Sequence, residues 1–178
     1  MFRFRRVARI VCSMALLASF MLVGHGAVSA AGVVESVTGS GHFTGSNGEL
    51  VTFSYNAKLH DNGSVTGHYQ INLRSLDTVI HGPVTCLSVV GNRAWVGGIA
   101  EQIRSSNPNL AALEGNEMWF QVQDNGEGAN DPPDRTTSVG VTPVGGPPGQ
   151  AQAYCDAMPA PITFRPIEEG NIQVRDEQ

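Results

Sequence analysis

Two segments in which apolar and polar residues alternate strictly, joined by a short turn, most constrain what this chain can fold into. From Leu50 to Leu59, and again from Val65 to Arg74, alternate positions carry the apolar residues, so each segment has one apolar and one polar face. Period-two alternation is typical of antiparallel strands that are buried on one side. We therefore predict a β-hairpin whose apolar face packs on a core.

The pairing register of this hairpin follows from the same alternation. A two-residue turn would set the apolar face of one strand against the polar face of the other. A three-residue loop, Asp61 to Gly63, places Tyr55 opposite Tyr69 and matches apolar with apolar residues throughout. That loop length favours a left-handed glycine at its last position, which Gly63 occupies. We therefore predict the three-residue loop.

Further strand patterns flank the hairpin. They cover Gly41 to Thr44, Val84 to Val90, Arg93 to Ile99, Met118 to Gln123, Thr136 to Thr142 and Ile172 to Arg175. A Gly91-Asn92 turn joins the second and third of these, and both faces of that hairpin are apolar, with Val84 and Cys86 predicted on the same face. Helix signals are limited to a turn or two at Asn107 to Leu113. The prediction is an all-β fold, a single antiparallel meander of about eight strands that forms a barrel or a two-sheet sandwich.

The first 30 residues have the pattern of a cleavable secretory leader. Four arginines precede Ile10 to Val23, an apolar run of about 14 residues that is too short to span a membrane. Val28-Ser29-Ala30 then supplies the small residues of a cleavage site. We expect a secreted, extracellular product with a single β-domain over residues 31–178 and no membrane insertion after cleavage; the alternative is an uncleaved anchor.

Loss of the leader makes an acidic chain more acidic. The whole chain has 11 basic and 16 acidic residues, and four of the arginines leave with residues 1–30, so the net charge falls from −5 to −9. A surface of this charge repels nucleic acids and anionic lipids. We exclude both as partners and expect an unknown extracellular partner or a small ligand.

Two cysteines, Cys86 and Cys155, remain after the leader. An even number of cysteines in an exported chain indicates a disulfide, whereas the alternatives are a thiol nucleophile or metal ligands. The bridge would tie the Pro/Gly-rich crossing segment, residues 143–170, over the strand that carries Cys86. The two Cα atoms should then lie about 4.4–6.8 Å apart.

The densest polar cluster is the acidic loop, which we define as Asp124 to Asp134. Its carboxylates at Asp124, Glu127, Asp131 and Asp134 are candidate calcium ligands, because Ca²⁺ takes about six to eight oxygen ligands. The spacing does not match an EF-hand, and we favour a solvated turn between strands. No metal or cofactor is expected.

The sequence contains none of the common nucleophile, zinc-protease or phosphate-loop motifs. Paired carboxylates for glycoside hydrolysis leave no such motif, because the partners meet only in space. We therefore predict a non-enzymatic domain with a binding or structural role; the alternative is a small secreted hydrolase acting on saccharides. A deep aromatic cleft containing paired carboxylates would favour the hydrolase.

Three stretches resemble a group of uncharacterised secreted bacterial β-domain proteins. They are Val84 to Gly98, Phe120 to Gly128 and Gly170 to Val174. They are similar to the small β-domain found after some copper amine oxidase-like and other extracellular proteins. The resemblance covers Gly39 to Val174 and implies an antiparallel barrel or sandwich. It carries no defined activity, so it assigns no catalytic residue.

Overall fold

A computed structural model describes residues 31–161 and 163–177, and the predicted leader lies outside the described residues. The strands are β1 (Val33–Thr44), β2 (Leu50–His60), β3 (Val65–Leu73), β4 (Thr78–Val90), β5 (Arg93–Ile99), β6 (Gln102–Ser105), β7 (Glu117–Gln123), β8 (Arg135–Thr137), β9 (Gly140–Val141), β10 (Phe164–Pro166) and β11 (Glu169–Asp176). The helices are α1 (Pro108–Ala111) and α2 (Gln150–Ala157), with a 3-10 turn at Arg74–Leu76.

The strands form one curled antiparallel sheet, a half-barrel. Its order is β10-β8-β7-β5-β4-β3-β2-β1-β11, with β6 beside β4 and β9 beside β7. The two ends of this order, β10 and β11, follow one another in the chain. The last part of the chain therefore runs from one edge of the sheet to the other. The prediction of an all-β, barrel-like fold is confirmed.

The β2–β3 hairpin has the predicted register. Tyr55 pairs with Tyr69, and Leu59 pairs with Val65. Both tyrosine side chains are buried. Gly63 closes the three-residue loop with φ at +78°, in the left-handed region that favours glycine.

The concave face of the curled sheet forms the core. Its most completely buried side chains are Val37, Ala57, Ala94, Val96, Met118, Val122 and Ile172. The Tyr55 ring bridges two other aromatic rings, with centroids 5.4 Å from Phe53 and 5.3 Å from Phe120. Full burial of one large apolar side chain contributes about 1.5–3 kcal/mol, so this face supplies the main stabilising term.

The first strand is longer than predicted, because it begins at Val33 rather than Gly41. Gly39 and Gly41 interrupt its alternation, and both are needed for close packing. A Cβ on Gly39 would meet the hydroxyl of Tyr55, and one on Gly41 would meet the backbone of Glu169. Strands β6 and β10 were not predicted, because four and three residues are too few for a periodic pattern.

Val84 and Cys86 face opposite sides of the sheet, which corrects the prediction that they share a face. The pairing of β4 with β5 shifts register between these two residues. Such a shift inserts an extra residue and reverses the alternation. Val84 therefore joins the concave core, whereas Cys86 packs against Ala151 and Cys155 on the convex face.

Candidate binding groove

The Pro/Gly-rich crossing segment contains α2, a helix that the sequence analysis missed. Its two buried residues, Ala151 and Cys155, are four positions apart and so share one face of the helix. This spacing and the alanines of the segment were the features of the sequence that could have predicted the helix. The prolines and glycines on both sides obscured it, because they predict a loop.

A disulfide places α2 on the convex face of the sheet. The sulfur atoms of Cys86 and Cys155 are 2.05 Å apart and their Cα atoms 6.2 Å apart, inside the predicted range. Gly97 of β5 lies beneath the helix, and a Cβ there would lie only 2.9 Å from the Cβ of Ala151. The bridge and this close approach therefore hold α2 flat against the strands.

The N-terminus of α2 is capped by a side chain of β7. Glu117 accepts hydrogen bonds from the backbone N–H of Gly149 at 2.9 Å and of Ala151 at 3.0 Å. Gly149 has no side chain to cap the helix itself, so the strand supplies the acceptor. The bond from Ala151 has the largest effect on this carboxyl and, with the bonds from Gly149 and Gln150, lowers the pKa of Glu117.

The C-terminus of α2 is held to the sheet by one carbonyl. Met158 turns the chain with φ at +44°. The carbonyl of Pro159 then accepts hydrogen bonds from Nε1 of Trp95 at 3.0 Å and from Nε2 of Gln121 at 2.7 Å. These donors belong to β5 and β7, so the segment after α2 stays above the convex face.

Beside α2, the strand predicted over Thr136 to Thr142 is interrupted. β8 and β9 pair with opposite ends of β7, and Ser138 and Val139 lie between them. The backbone N–H of Gln121 donates to Oγ1 of Thr137 at 2.9 Å. A side chain thus takes the hydrogen bond that a continuous strand would accept through its backbone. Ser138 and Val139 of this irregular segment border the same opening as Tyr154 of α2.

An open groove of about 420 Å³ lies between α2 and this interruption. The rings of Trp119 and Tyr154 lie 5.9 Å apart, tilted by 36°. Gly140 leaves room for the indole, because a Cβ there would meet Nε1 of Trp119. The lining also includes Ser46, Gln121, Thr137, Ser138, Val139, Pro159, Ala160, Pro161, Thr163 and Arg165.

The polar groups of the groove are sparse and only partly satisfied. Gln121 is 1% exposed, and its Oε1 has no hydrogen-bond partner among the described residues. Burial raises the pKa of Tyr154, and the neighbouring Gln121 side chain opposes that effect. Arg165 is the one charged residue among the described lining residues. The groove thus offers aromatic faces, hydroxyls and one positive charge.

The acidic loop binds the last strand of the sheet. Oδ2 of Asp134 accepts the backbone N–H of Ile172 at 2.7 Å, and Oδ2 of Asp124 accepts that of Val174 at 3.0 Å. Both donors belong to β11, whose other edge pairs with β1. We call Asp124 and Asp134 the carboxylate clasp, because these side chains stand where a neighbouring strand would otherwise pair. Residues 126–133 of the loop are exposed, as a solvated turn would be, whereas Asp134 is buried.

The other two candidate calcium ligands also accept hydrogen bonds from the protein. Glu127 accepts from the side-chain amides of Gln173 at 2.7 Å and Asn171 at 2.8 Å, and these bonds lower its pKa. Asp131 accepts the N–H of Gly128 at 2.7 Å. Across residues 31–161 and 163–177, no three His, Cys, Asp or Glu side chains are grouped to hold a metal ion.

Comparison of the chain with protein-family models, curated proteins and solved structures finds no match. The resemblance to secreted β-domain proteins therefore stays a prediction. Within the described residues, every helix is too short or too polar to cross a membrane.

Proposed function

We propose that this chain is an extracellular, non-enzymatic binding domain that holds a saccharide in the groove beside α2. The observation that carries the proposal is the pairing of Trp119 with Tyr154 in an open groove, 5.9 Å apart. Both ends of α2 are anchored, by Glu117 and by the Pro159 carbonyl, so the groove is formed before the ligand arrives. Preformed sites avoid the ordering cost of binding.

The chemistry of the lining favours a sugar ring over a purely apolar ligand. A sugar presents a C–H face and a hydroxyl rim. An aromatic side chain such as Trp119 packs against the face, while the Ser138 hydroxyl and the Arg165 guanidinium are placed in the same groove for the rim. Pockets of a few hundred cubic ångströms, mostly apolar and with a few polar groups, are the usual form of small-ligand sites.

The saccharide hydrolase is the weaker candidate. Glycoside hydrolysis requires two carboxyl groups on either side of the scissile bond. The described lining of the groove contains neither Asp nor Glu. The carboxylates of the acidic loop instead accept hydrogen bonds from the protein, and Asp134 is buried. These observations support binding without cleavage.

Secretion is part of the same proposal. The Cys86–Cys155 disulfide supports an oxidising destination, where such bonds persist. Mass spectrometry of the protein from culture fluid should find an N-terminus at or within a few residues of Ala31. Recovery of protein that begins at Met1 from that fluid would contradict export by cleavage.

Intrinsic fluorescence is a direct test of the groove, because the chain has two tryptophans. Trp119 lines the groove, whereas Trp95 is 5% exposed beneath the α2 segment. Titration with a panel of neutral and acidic oligosaccharides should change the Trp119 emission on binding. Trp119→Ala should weaken binding roughly tenfold, because it removes a stacking face, and Trp119→Phe should weaken it less.

Val90→Ala is the control, since it trims an exposed apolar side chain outside the groove, at the end of β4. Its affinity should equal that of the unmodified protein. Equal weakening by Trp119→Ala and Val90→Ala, or release of a shortened saccharide during the titration, would contradict the proposal.

A further inference from the structure

The convex face beside the groove carries a row of arginines. Arg93 of β5 pairs with Gln123 of β7, which pairs with Arg135 of β8. Residues two positions apart on a strand point to the same face. The row therefore shares its face with Gln121 and Thr137, which line the groove. The arginines lie one row further along the strands.

These two arginines stack on one ring and are otherwise unengaged. The Cζ atoms of Arg93 and Arg135 lie 5.6 Å and 5.4 Å from the ring centroid of Phe164 in β10. A guanidinium stacked on a ring keeps the N–H donors at its edge free. No side-chain hydrogen bond or ion pair of either arginine occurs with the residues that the structure describes.

Arg165 adds a third positive charge inside the groove. Nη2 donates to Oγ of Ser46 at 2.6 Å, Nη1 donates to the carbonyl of Thr44 at 3.5 Å, and Nε is buried without a partner among the described residues. Both acceptors are neutral, and no carboxylate of the described residues lies within ion-pair distance. Three of the seven basic residues that follow the leader thus lie on or beside β10.

We infer that the ligand of the groove is an acidic saccharide, a chain of uronic acid units. One ring stacks on Trp119 and Tyr154, while the carboxylates of successive units pair with Arg165 and with the row at Arg93 and Arg135. This inference rests on the proposed function and names its ligand class. Arginine suits this task, because its planar fork matches a carboxylate with two parallel hydrogen bonds.

The net negative charge of the protein is compatible with this ligand. Salt screens exposed charges that are more than about 8 Å apart under physiological conditions, so the distant acidic residues of the chain oppose binding only weakly. Asp124 directly follows Gln123, and Asp134 directly precedes Arg135. These acids disfavour a ligand as densely charged as a nucleic acid. A uronic acid chain, with one charge per ring, is more sparsely charged.

Calorimetric titration with a matched pair of ligands tests the inference. The pair is the trimer of galacturonic acid and its methyl ester, which keeps the rings and linkages but lacks the charge. The acid should bind the mature, disulfide-bonded protein at least tenfold more tightly. Arg93→Ala and Arg135→Ala should each weaken binding of the acid about two- to fivefold and leave that of the ester unchanged.

Control variants distinguish the loss of a local charge from a general effect on folding or net charge. Arg93→Lys and Arg135→Lys should bind the acid more tightly than the alanine variants but less tightly than the unmodified protein, because lysine keeps the charge and loses the two parallel hydrogen bonds and the stacking on Phe164. Arg104→Ala changes the net charge equally, but it lies on β6 away from this row, and it should bind both trimers normally.

Three other outcomes would contradict this inference, and they can be told apart. Equal affinity for acid and ester, insensitive to the arginines but lost in Trp119→Ala, would overturn this inference and leave the proposed function standing. Failure of every saccharide to bind would overturn both. Arginine-dependent binding of a thymidine oligonucleotide, as tight as that of the acid trimer, would replace the saccharide by a nucleic acid.

Discussion

Replacing Asp134 with alanine should be the most damaging single change in the acidic loop. Its side chain is 5% exposed and accepts two backbone hydrogen bonds, from Asn125 at 2.8 Å and from Ile172 at 2.7 Å. Ile172 is fully buried, so water cannot readily replace the lost acceptor. The variant therefore loosens the clasp on β11 without touching the groove.

The size of the effect follows from the two bonds. A hydrogen bond to a charged group contributes about 1.5–3 kcal/mol, so we expect a loss of about 4 kcal/mol in the free energy of unfolding. For a domain of this size, that lowers the melting temperature by about 12 °C. The stability of Asp134→Asn should fall between that of Asp134→Ala and that of the unmodified protein, because the amide NH₂ of asparagine would face one of the two N–H donors.

Thermal and urea unfolding measure the difference, with Asp131→Ala as the control. Asp131 is exposed and accepts one hydrogen bond, from Gly128, so its loss should cost less than about 1 kcal/mol. Equal stabilities of Asp134→Ala and Asp131→Ala would refute the clasp. So would a stability difference that appears only with added Ca²⁺, since that would make the loop a calcium site.

Three further predictions concern the elements around the clasp and the groove. Glu117→Gln should weaken the cap of α2. Because folding lowers the pKa of Glu117, its carboxylate stabilises the fold above the unfolded-state pKa, and this stabilisation is lost as the pH falls through the folded-state pKa. The unfolding curves of the variant and of the unmodified protein should therefore converge in acid. Gly63→Val should lower the unfolding free energy by about 1 kcal/mol or more, measured in urea, because φ is +78° there; an unchanged midpoint would contradict the hairpin loop. Joint replacement of Cys86 and Cys155 by serine should cost up to about 4 kcal/mol for a loop spanning 69 residues, and free thiols titrated in the denatured, unreduced parent would contradict the bridge.

The sequence was most informative for features whose contacting residues are close to one another along the chain. Alternation around Tyr55 and Tyr69 predicted a register that the structure has, because shifting it by one residue would expose the whole apolar face. The helical turn predicted to begin at Asn107 is present as α1, and Oδ1 of Asn107 accepts the N–H of Asn109 at 2.9 Å. Both predictions depend on neighbours that are close in sequence or joined by one short loop.

The features that form the groove depend on partners distant in sequence. The cap of α2 is Glu117, which precedes the helix by more than 30 residues, and no local motif connects the two. Thr137 ends its strand early because its hydroxyl binds the N–H of Gln121. The clasp similarly joins Asp134 to Ile172, 38 positions later. A single sequence contains these residues but not their proximity.

The central claim is that the groove beside α2 is the ligand-binding site, and the indole N–H signals in an NMR titration test it most directly. Nε1 of Trp119 borders the groove, whereas Nε1 of Trp95 is bonded to the Pro159 carbonyl. Adding the uronic acid trimer should shift the Trp119 indole signal and the Tyr154 and Thr137 amides first, with a much smaller change at Trp95. Saturable shifts confined to the far side of the sheet, around His68 on β3, or no shifts with any saccharide, would contradict the claim.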